Sequence, residues 1–92
     1  MLSLVNIIID SDTVIAIMYR NNRYIVEVLD SNNYYTEEFR KCEDALLYAI
    51  DLLHCYISSN LRNTFNLRNT FIRIYVDREA YSKLCMSDRN EC

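Results

Sequence analysis

The chain has 92 residues, a formal net charge of −3 and neither glycine nor proline. This length indicates one domain, residues 1–92, with a single core and little room for a multi-step active site. No apolar run reaches the roughly 18 residues of a membrane span, and the start MLSLVNIIID lacks the basic segment of a secretory signal. A cytoplasmic location is therefore predicted.

Acidic residues concentrate in the first two thirds of the chain, whereas residues 60–92 are mildly basic. Direct binding of nucleic acid needs clustered Lys and Arg that neutralise phosphates. The acidic balance argues against that function and favours a partner protein that is itself basic.

The four cysteines form neither a C-x-x-C pair nor, with the single histidine, a metal-ligand spacing; they are Cys42, Cys55, Cys85 and Cys92. Zinc and thioredoxin-like sites are excluded on spacing. The sequence predicts free thiols and no cofactor.

Three strands are predicted in the first third of the chain. Leu2–Ile9 is an apolar, β-branched run typical of a central strand, closed by the turn Asp10-Ser11-Asp12. Val14–Tyr19 and Arg23–Leu29 flank Asn21-Asn22, and two Asn residues suit a tight hairpin because Asn tolerates positive φ. In the third strand alternate residues are apolar on one face and mixed on the other.

Tyr34–Phe39 alternates imperfectly and predicts a fourth strand at the edge of the sheet. Glu43–Ile57 predicts an amphipathic helix, with Glu43 and Asp44 near the positive end of its dipole. The stripe expected to be buried is Leu46, Ala49, Ile50, Leu53 and Ile57. The face expected to be exposed is Asp44, Tyr48, Asp51, Cys55 and Ser58.

The hexapeptide NLRNTF occurs twice in tandem, at residues 60–65 and 66–71. An extended or looping connection is predicted there, because a six-residue step keeps one face only in an extended chain. The repeat is interpreted as a tolerated in-frame duplication or, alternatively, as a partner-binding arm.

The C-terminal part predicts a strand at Phe71–Val76 and a short helix at Arg78–Cys85 capped by Asp77, followed by a frayed tail, residues 86–92. The predicted fold class is α+β. It is an antiparallel β-meander of about four to five strands, with one main amphipathic helix packed across one face and a short C-terminal helix.

Three carboxylates stand at element ends: Asp10, Glu43 and Asp77. Their order resembles the ribonuclease H-like fold, and the resemblance implies two Mg²⁺ ions held by these acids in a metal-dependent nuclease. The chain lacks a glycine turn after Asp10 and is shorter than most members. Turn formation, helix-dipole pairing and helix capping also explain each acid separately.

His54 and Cys55 are adjacent, which raises the question of a Cys-His nucleophile. Neighbouring residues on a helix point about 100° apart and cannot easily share a proton. A structural role is predicted for both residues, and no catalytic residue is assigned.

An acidic, tyrosine-containing band is the remaining candidate site, the alternative being a merely solvated face. Its members are Glu27, Asp30, Tyr34, Tyr35, Glu37, Glu38, Glu43, Asp44 and Asp51. Carboxylates that mimic phosphates would steer onto a basic groove, and tyrosines would supply buried contact area.

The segment Tyr24–Leu53, YIVEVLDSNNYYTEEFRKCEDALLYAIDLL, is similar in character to small phage-encoded inhibitors of host defence, anti-CRISPR proteins among them. The resemblance implies a non-enzymatic inhibitor of viral or mobile-element origin that binds a basic surface of a nucleic-acid-handling host protein. Two alternatives stay open: the nuclease, and a homodimer formed through the exposed strand edge at Tyr34–Phe39.

Overall fold

The computed structural model describes residues 2–9, 13–31, 33–62 and 72–86, which form an α+β fold. Five antiparallel strands make one sheet, and a long helix packs across one of its faces. The elements are β1 Leu2–Ile9, β2 Thr13–Arg20, β3 Arg23–Asp30, β4 Asn33–Phe39, α1 Cys42–Arg62, β5 Ile72–Val76, α2 Arg78–Tyr81 and a π-helical turn Ser82–Met86. The predicted fold class is confirmed.

The strand order is β4-β3-β2-β1-β5, so that β1 is internal and β4 lies at an edge, as predicted. Asn21 and Asn22 form the β2–β3 turn with φ of 54° and 62°, the left-handed conformation that Asn tolerates better than most residues. The turn at residues 10–12 lies outside the described residues.

The two faces of the sheet differ in what covers them. The core face carries the buried cluster, and both helices pack on it. Its buried strand residues are Leu4, Val5, Ile7, Ile9, Ile15, Ile17, Tyr24, Val26 and Val28. The opposite face, called the open face below, carries the alternate residues of every strand, and no described helix packs on it.

Helix α1 begins at Cys42 and ends at Arg62, so it is longer than the predicted Glu43–Ile57. It lies across β2, β3 and β4. The first residues of the tandem repeat, 60–62, are helical, so the predicted extended connection is wrong there. The rest of the repeat, residues 63–71, lies outside the described residues.

Two predictions about the faces of α1 are wrong. Ile50, expected in the buried stripe, is 46% exposed, and Tyr48, expected on the exposed face, packs against the core. The buried line of the helix runs instead through Ala45 and Ala49, which are 0% and 1% exposed. Alanine lets the helix backbone approach the sheet closely, so the helix turns its small residues inward and Ile50 outward.

The C-terminal elements close the core over β1. Asp77 accepts a hydrogen bond from the backbone N–H of Ala80 at 3.1 Å, which confirms the predicted helix cap. The backbone N–H of Asp77 donates to the carbonyl of Leu4 at 2.9 Å. Helix α2 ends at Tyr81, and the chain continues as a π-helical turn rather than the single predicted helix. The tail from residue 87 lies outside the described residues.

Cys42 and Cys85 form a disulfide, so the prediction of free thiols is wrong for this pair. The bond joins the first residue of α1 to the π-helical turn across a sequence separation of 43 residues. No local spacing marks such a pair, because the fold alone brings the two residues together. Cys55 is a free, exposed thiol, as predicted.

Loss of the disulfide is expected to destabilise the domain by relaxing the unfolded chain. A cross-link across a loop of this length stabilises the folded state by about 4 kcal/mol, because it lowers the entropy of the unfolded chain. The double variant Cys42→Ser, Cys85→Ser should therefore lower the thermal midpoint by about 10 °C or more. Calorimetry under oxidising conditions measures this shift, with Cys55→Ser as the matched control. Equal midpoints for both variants would contradict a stabilising bond.

Candidate functional site

The predicted acidic band does not lie on one surface. Alternation along β4 sends Tyr35 and Glu37 to the core face and Tyr34 and Glu38 to the open face. Because β4 is an edge strand, the two groups lie on opposite sides of one sheet edge. The predicted band is therefore two separate surfaces.

The group on the helix side is centred on Tyr48. Its ring lies 5.2 Å from that of Phe39, between centroids. Burial raises the pKa of Tyr48, and the nearby Glu37 and Tyr35 raise it further, which places both residues beside it. Asp44 and Asp51 precede and follow Tyr48 by four and three positions and share its side of the helix.

We call this group the helix-side acidic surface: Tyr35, Glu37, Asp44, Tyr48 and Asp51. The three carboxylate residues are exposed, Tyr35 is 39% exposed, and Tyr48 is half-buried at the base. Tyr48 was missed from sequence because it was assigned to a solvated helix face. Two features of the sequence point to Tyr48. It lies four residues after Asp44, and therefore on the same side of α1, and the strand that precedes α1 is rich in carboxylates.

Asp30 belongs to a structural network rather than to an exposed surface. Its carboxylate accepts hydrogen bonds from the hydroxyl of Tyr56 at 3.3 Å, the hydroxyl of Thr13 at 3.5 Å and the backbone N–H of Ser31 at 2.8 Å. The Tyr56 contact joins α1 to the end of β3. Asp30 therefore fixes the helix on the sheet and is less available to a partner than the acids of β4.

The open-face group consists of Glu27, Tyr34 and Glu38. The hydroxyl of Tyr34 donates to the Glu27 carboxylate at 2.7 Å. That hydrogen bond is the main cause of the raised pKa of Tyr34. Tyr34 is 61% exposed, so the pair sits on the solvent side of β3 and β4.

Glu43 lies on neither surface, because it belongs to the outward side of α1. It shares that side with Leu47 and Ile50, which are 55% and 46% exposed, and with His54. His54 and Cys55 are both exposed, and nothing in the described part of the chain orients them for nucleophilic chemistry.

The metal-site hypothesis gains no support from the strand directions. Strand β5 runs antiparallel to β1, so Asp77 lies beside Leu4, whereas Ile9 pairs with Ile72 at the other end. Leu4 and Ile9 are about 17 Å apart along a strand. Asp10 itself lies outside the described residues, and no group of three or more potential metal ligands occurs among the described ones.

The chain matches no protein-family model, and comparisons with curated proteins and with solved structures find no significant match. The described helices include none that is long and apolar enough to cross a membrane.

The raised pKa of Tyr56 makes the free energy of unfolding decrease at alkaline pH. Burial first, then hydrogen bonding with Tyr35 and the charge of Asp30, raise the pKa of Tyr56 in the folded state. The folded state then holds a proton that the unfolded state releases above about pH 10. Stability contributed by Tyr56 is thus complete below that pH and is lost as the pH rises further.

The variant Tyr56→Phe should cost about 1 kcal/mol at neutral pH through the lost hydrogen bond. It should also flatten the decline of stability above about pH 10, because the group that titrates is gone. Urea unfolding followed by circular dichroism at several pH values measures both effects. Tyr75→Phe, at a half-exposed position on β5, is the control. A decline as steep in Tyr56→Phe as in the parent chain would rule out this linkage.

Proposed function

We propose that this chain is a non-enzymatic protein-binding domain of viral or mobile-element origin. It inhibits a nucleic-acid-handling host defence protein by covering that protein's basic surface, and it acts in the host cytoplasm. The observation that carries the proposal is the helix-side acidic surface, where three exposed carboxylates surround two tyrosines at one edge of the sheet.

The carboxylates of this surface are available to an external cation. The described residues form one ion pair, between Lys83 and Glu79 at 3.2 Å, and it lies on the C-terminal helical segment. Glu37, Asp44 and Asp51 are therefore not neutralised by a neighbouring Lys or Arg of the described chain. Unpaired surface carboxylates attract a basic partner over distances of about one Debye length, roughly 8 to 10 Å.

The tyrosines give the surface more than charge. Tyr35 and Tyr48 lie beside Glu37, and tyrosine supplies large contact area with little loss of side-chain freedom on binding. Arg side chains of a nucleic-acid-binding groove can pair with a carboxylate and stack on an adjacent ring. Charge and aromatic area thus occur together where a phosphate-mimicking surface needs them.

Two adjacent residues of β4 provide a matched test. Glu37 lies on the core face beside Tyr48, whereas Glu38 lies on the open face. Reversal of charge at Glu37, with Glu37→Lys, should weaken capture of the host partner about tenfold or more, whereas Glu38→Lys should leave it nearly unchanged. The measurement is affinity capture from host lysate, with captured proteins quantified by mass spectrometry.

Duplex DNA added as a competitor should release the captured protein, because both ligands would occupy the same basic surface. Thermal midpoints of both variants, compared with the parent chain, control for folding. Capture that depends on Glu38 but not Glu37 would refute the helix-side surface. Capture that DNA does not reduce would refute phosphate mimicry.

A further inference from the structure

We propose that the outer edge of β5 pairs antiparallel with β5 of a second copy, so that two sheets join into one continuous sheet with a twofold axis at Ile74. This edge lies at the other end of the sheet from β4, so the pairing leaves the helix-side acidic surface free. The proposal depends on the unpaired backbone groups of β5, on its exposed apolar side chains and on a register that is complementary to itself.

Strand β5 is exposed at every position, although it belongs to the sheet. It is the last strand in the sheet order, and it pairs with β1 on one side. Its alternate residues Ile72, Ile74 and Val76 pair with buried core-face residues of β1, yet they are 40%, 56% and 46% exposed. We call these three residues the β5 apolar row. An exposed apolar edge strand is a template for pairing with another strand.

The backbone of β5 directs unpaired groups away from the sheet. The N–H of Asp77 donates to the carbonyl of Leu4, the residue directly opposite, at 2.9 Å. Hydrogen-bonded and non-hydrogen-bonded pairs alternate along an antiparallel ladder, so Arg73 and Tyr75 direct their N–H and C=O groups to β1. The N–H and C=O groups of the β5 apolar row therefore point away from β1, to the outer edge.

A register centred on Ile74 makes this edge complementary to itself. Antiparallel pairing about a twofold axis places Ile74 opposite Ile74 of the second copy, and Ile72 opposite Val76. Each of these residues then pairs its outward N–H and C=O groups with the residue opposite. Their side chains lie on the core face of both copies and join into one apolar row across the interface.

The same register places the charges of this edge favourably. Arg73 and Tyr75 lie on the open face and become opposite residues of the two copies, so that each guanidinium can pack on a tyrosine ring. The two Arg73 residues are diagonal neighbours, as are Asp77 of one copy and Arg73 of the other. The attraction between Asp77 and Arg73 offsets the repulsion between the two guanidinium groups.

Other registers of the same pairing are less favourable. A twofold axis at Arg73 would place two guanidinium groups directly opposite each other, which is destabilising in a strand pair. An axis at Tyr75 would pair only residues 74–76 of each strand, because β5 ends at Val76. The edge strand β4 carries adjacent charges at Glu37 and Glu38, a feature that protects an edge from pairing. A second copy paired through β5 and centred on Ile74 therefore fits the structure best.

The size of the contact predicts a weak dimer. The pairing uses one strand of five residues from each copy. It buries less surface than the roughly 1,200 Å² at the lower limit of stable complexes. We therefore expect a monomer at micromolar concentration and a dimer towards millimolar concentration.

Sedimentation velocity of the full chain across this concentration range measures the dimer. Ile74→Lys places two like charges at the twofold axis and should raise the dimer dissociation constant about tenfold or more. Ile50→Lys makes the same change at an exposed isoleucine of α1 and should leave that constant within about twofold. Thermal midpoints of both variants, compared with the parent chain, show whether they fold.

Two substitutions at one position test the register. Tyr75→Glu places a carboxylate opposite Arg73 of the second copy, whereas Tyr75→Lys places an ammonium group there, and both remove the aromatic ring. The dimer dissociation constant of the Lys variant should therefore exceed that of the Glu variant about tenfold. Equal constants for the two variants would overturn the proposed pairing.

Amide hydrogen exchange measured by NMR tests the backbone contact itself. The N–H groups of the β5 apolar row should exchange about tenfold or more slowly in the dimer than in the monomer, whereas those of Arg73 and Tyr75 should be protected in both. A monomer at every concentration, or a dimer that Ile74→Lys does not weaken, would overturn the proposal. Protection of the β5 apolar row in the monomer would also overturn it, because another segment of the chain would then cover the edge.

Discussion

The close approach of α1 to the sheet, made through Ala45 and Ala49, is the contact on which the remaining arrangement depends. Two small residues at the contact bring the helix backbone down onto β2, β3 and β4. This contact fixes the rotation of α1 about its own axis, so that Tyr48 packs against Phe39 and Ile50 points to solvent. It also sets Asp44 and Asp51 beside the edge strand. The candidate site is thus a consequence of how the core is packed.

Much of the sheet could be predicted from the sequence, because alternate residues of a strand point to opposite faces and leave a clear pattern of apolar and polar residues. The hairpin at Asn21 and Asn22 and the cap at Asp77 were predictable for a local chemical reason. The rotation of α1 was not, because an amphipathic stripe records hydrophobicity and not how closely a backbone can approach. The same period of two places Glu37 and Glu38 on opposite faces of the sheet, so the division of the acidic band could be predicted from the sequence.

The disulfide could not be predicted from the sequence, because only the folded structure brings its two cysteines together. Cys42 and Cys85 are 3% and 4% exposed and belong to the core cluster. Disulfides persist in oxidising compartments, whereas a reducing cytoplasm keeps thiols free. In the cytoplasm, where we propose that the protein acts, the bond would be reduced, and the two cysteines would then contribute to the core as small apolar side chains. Helix docking then relies on the core and on the Tyr56–Asp30 contact rather than on the covalent bond.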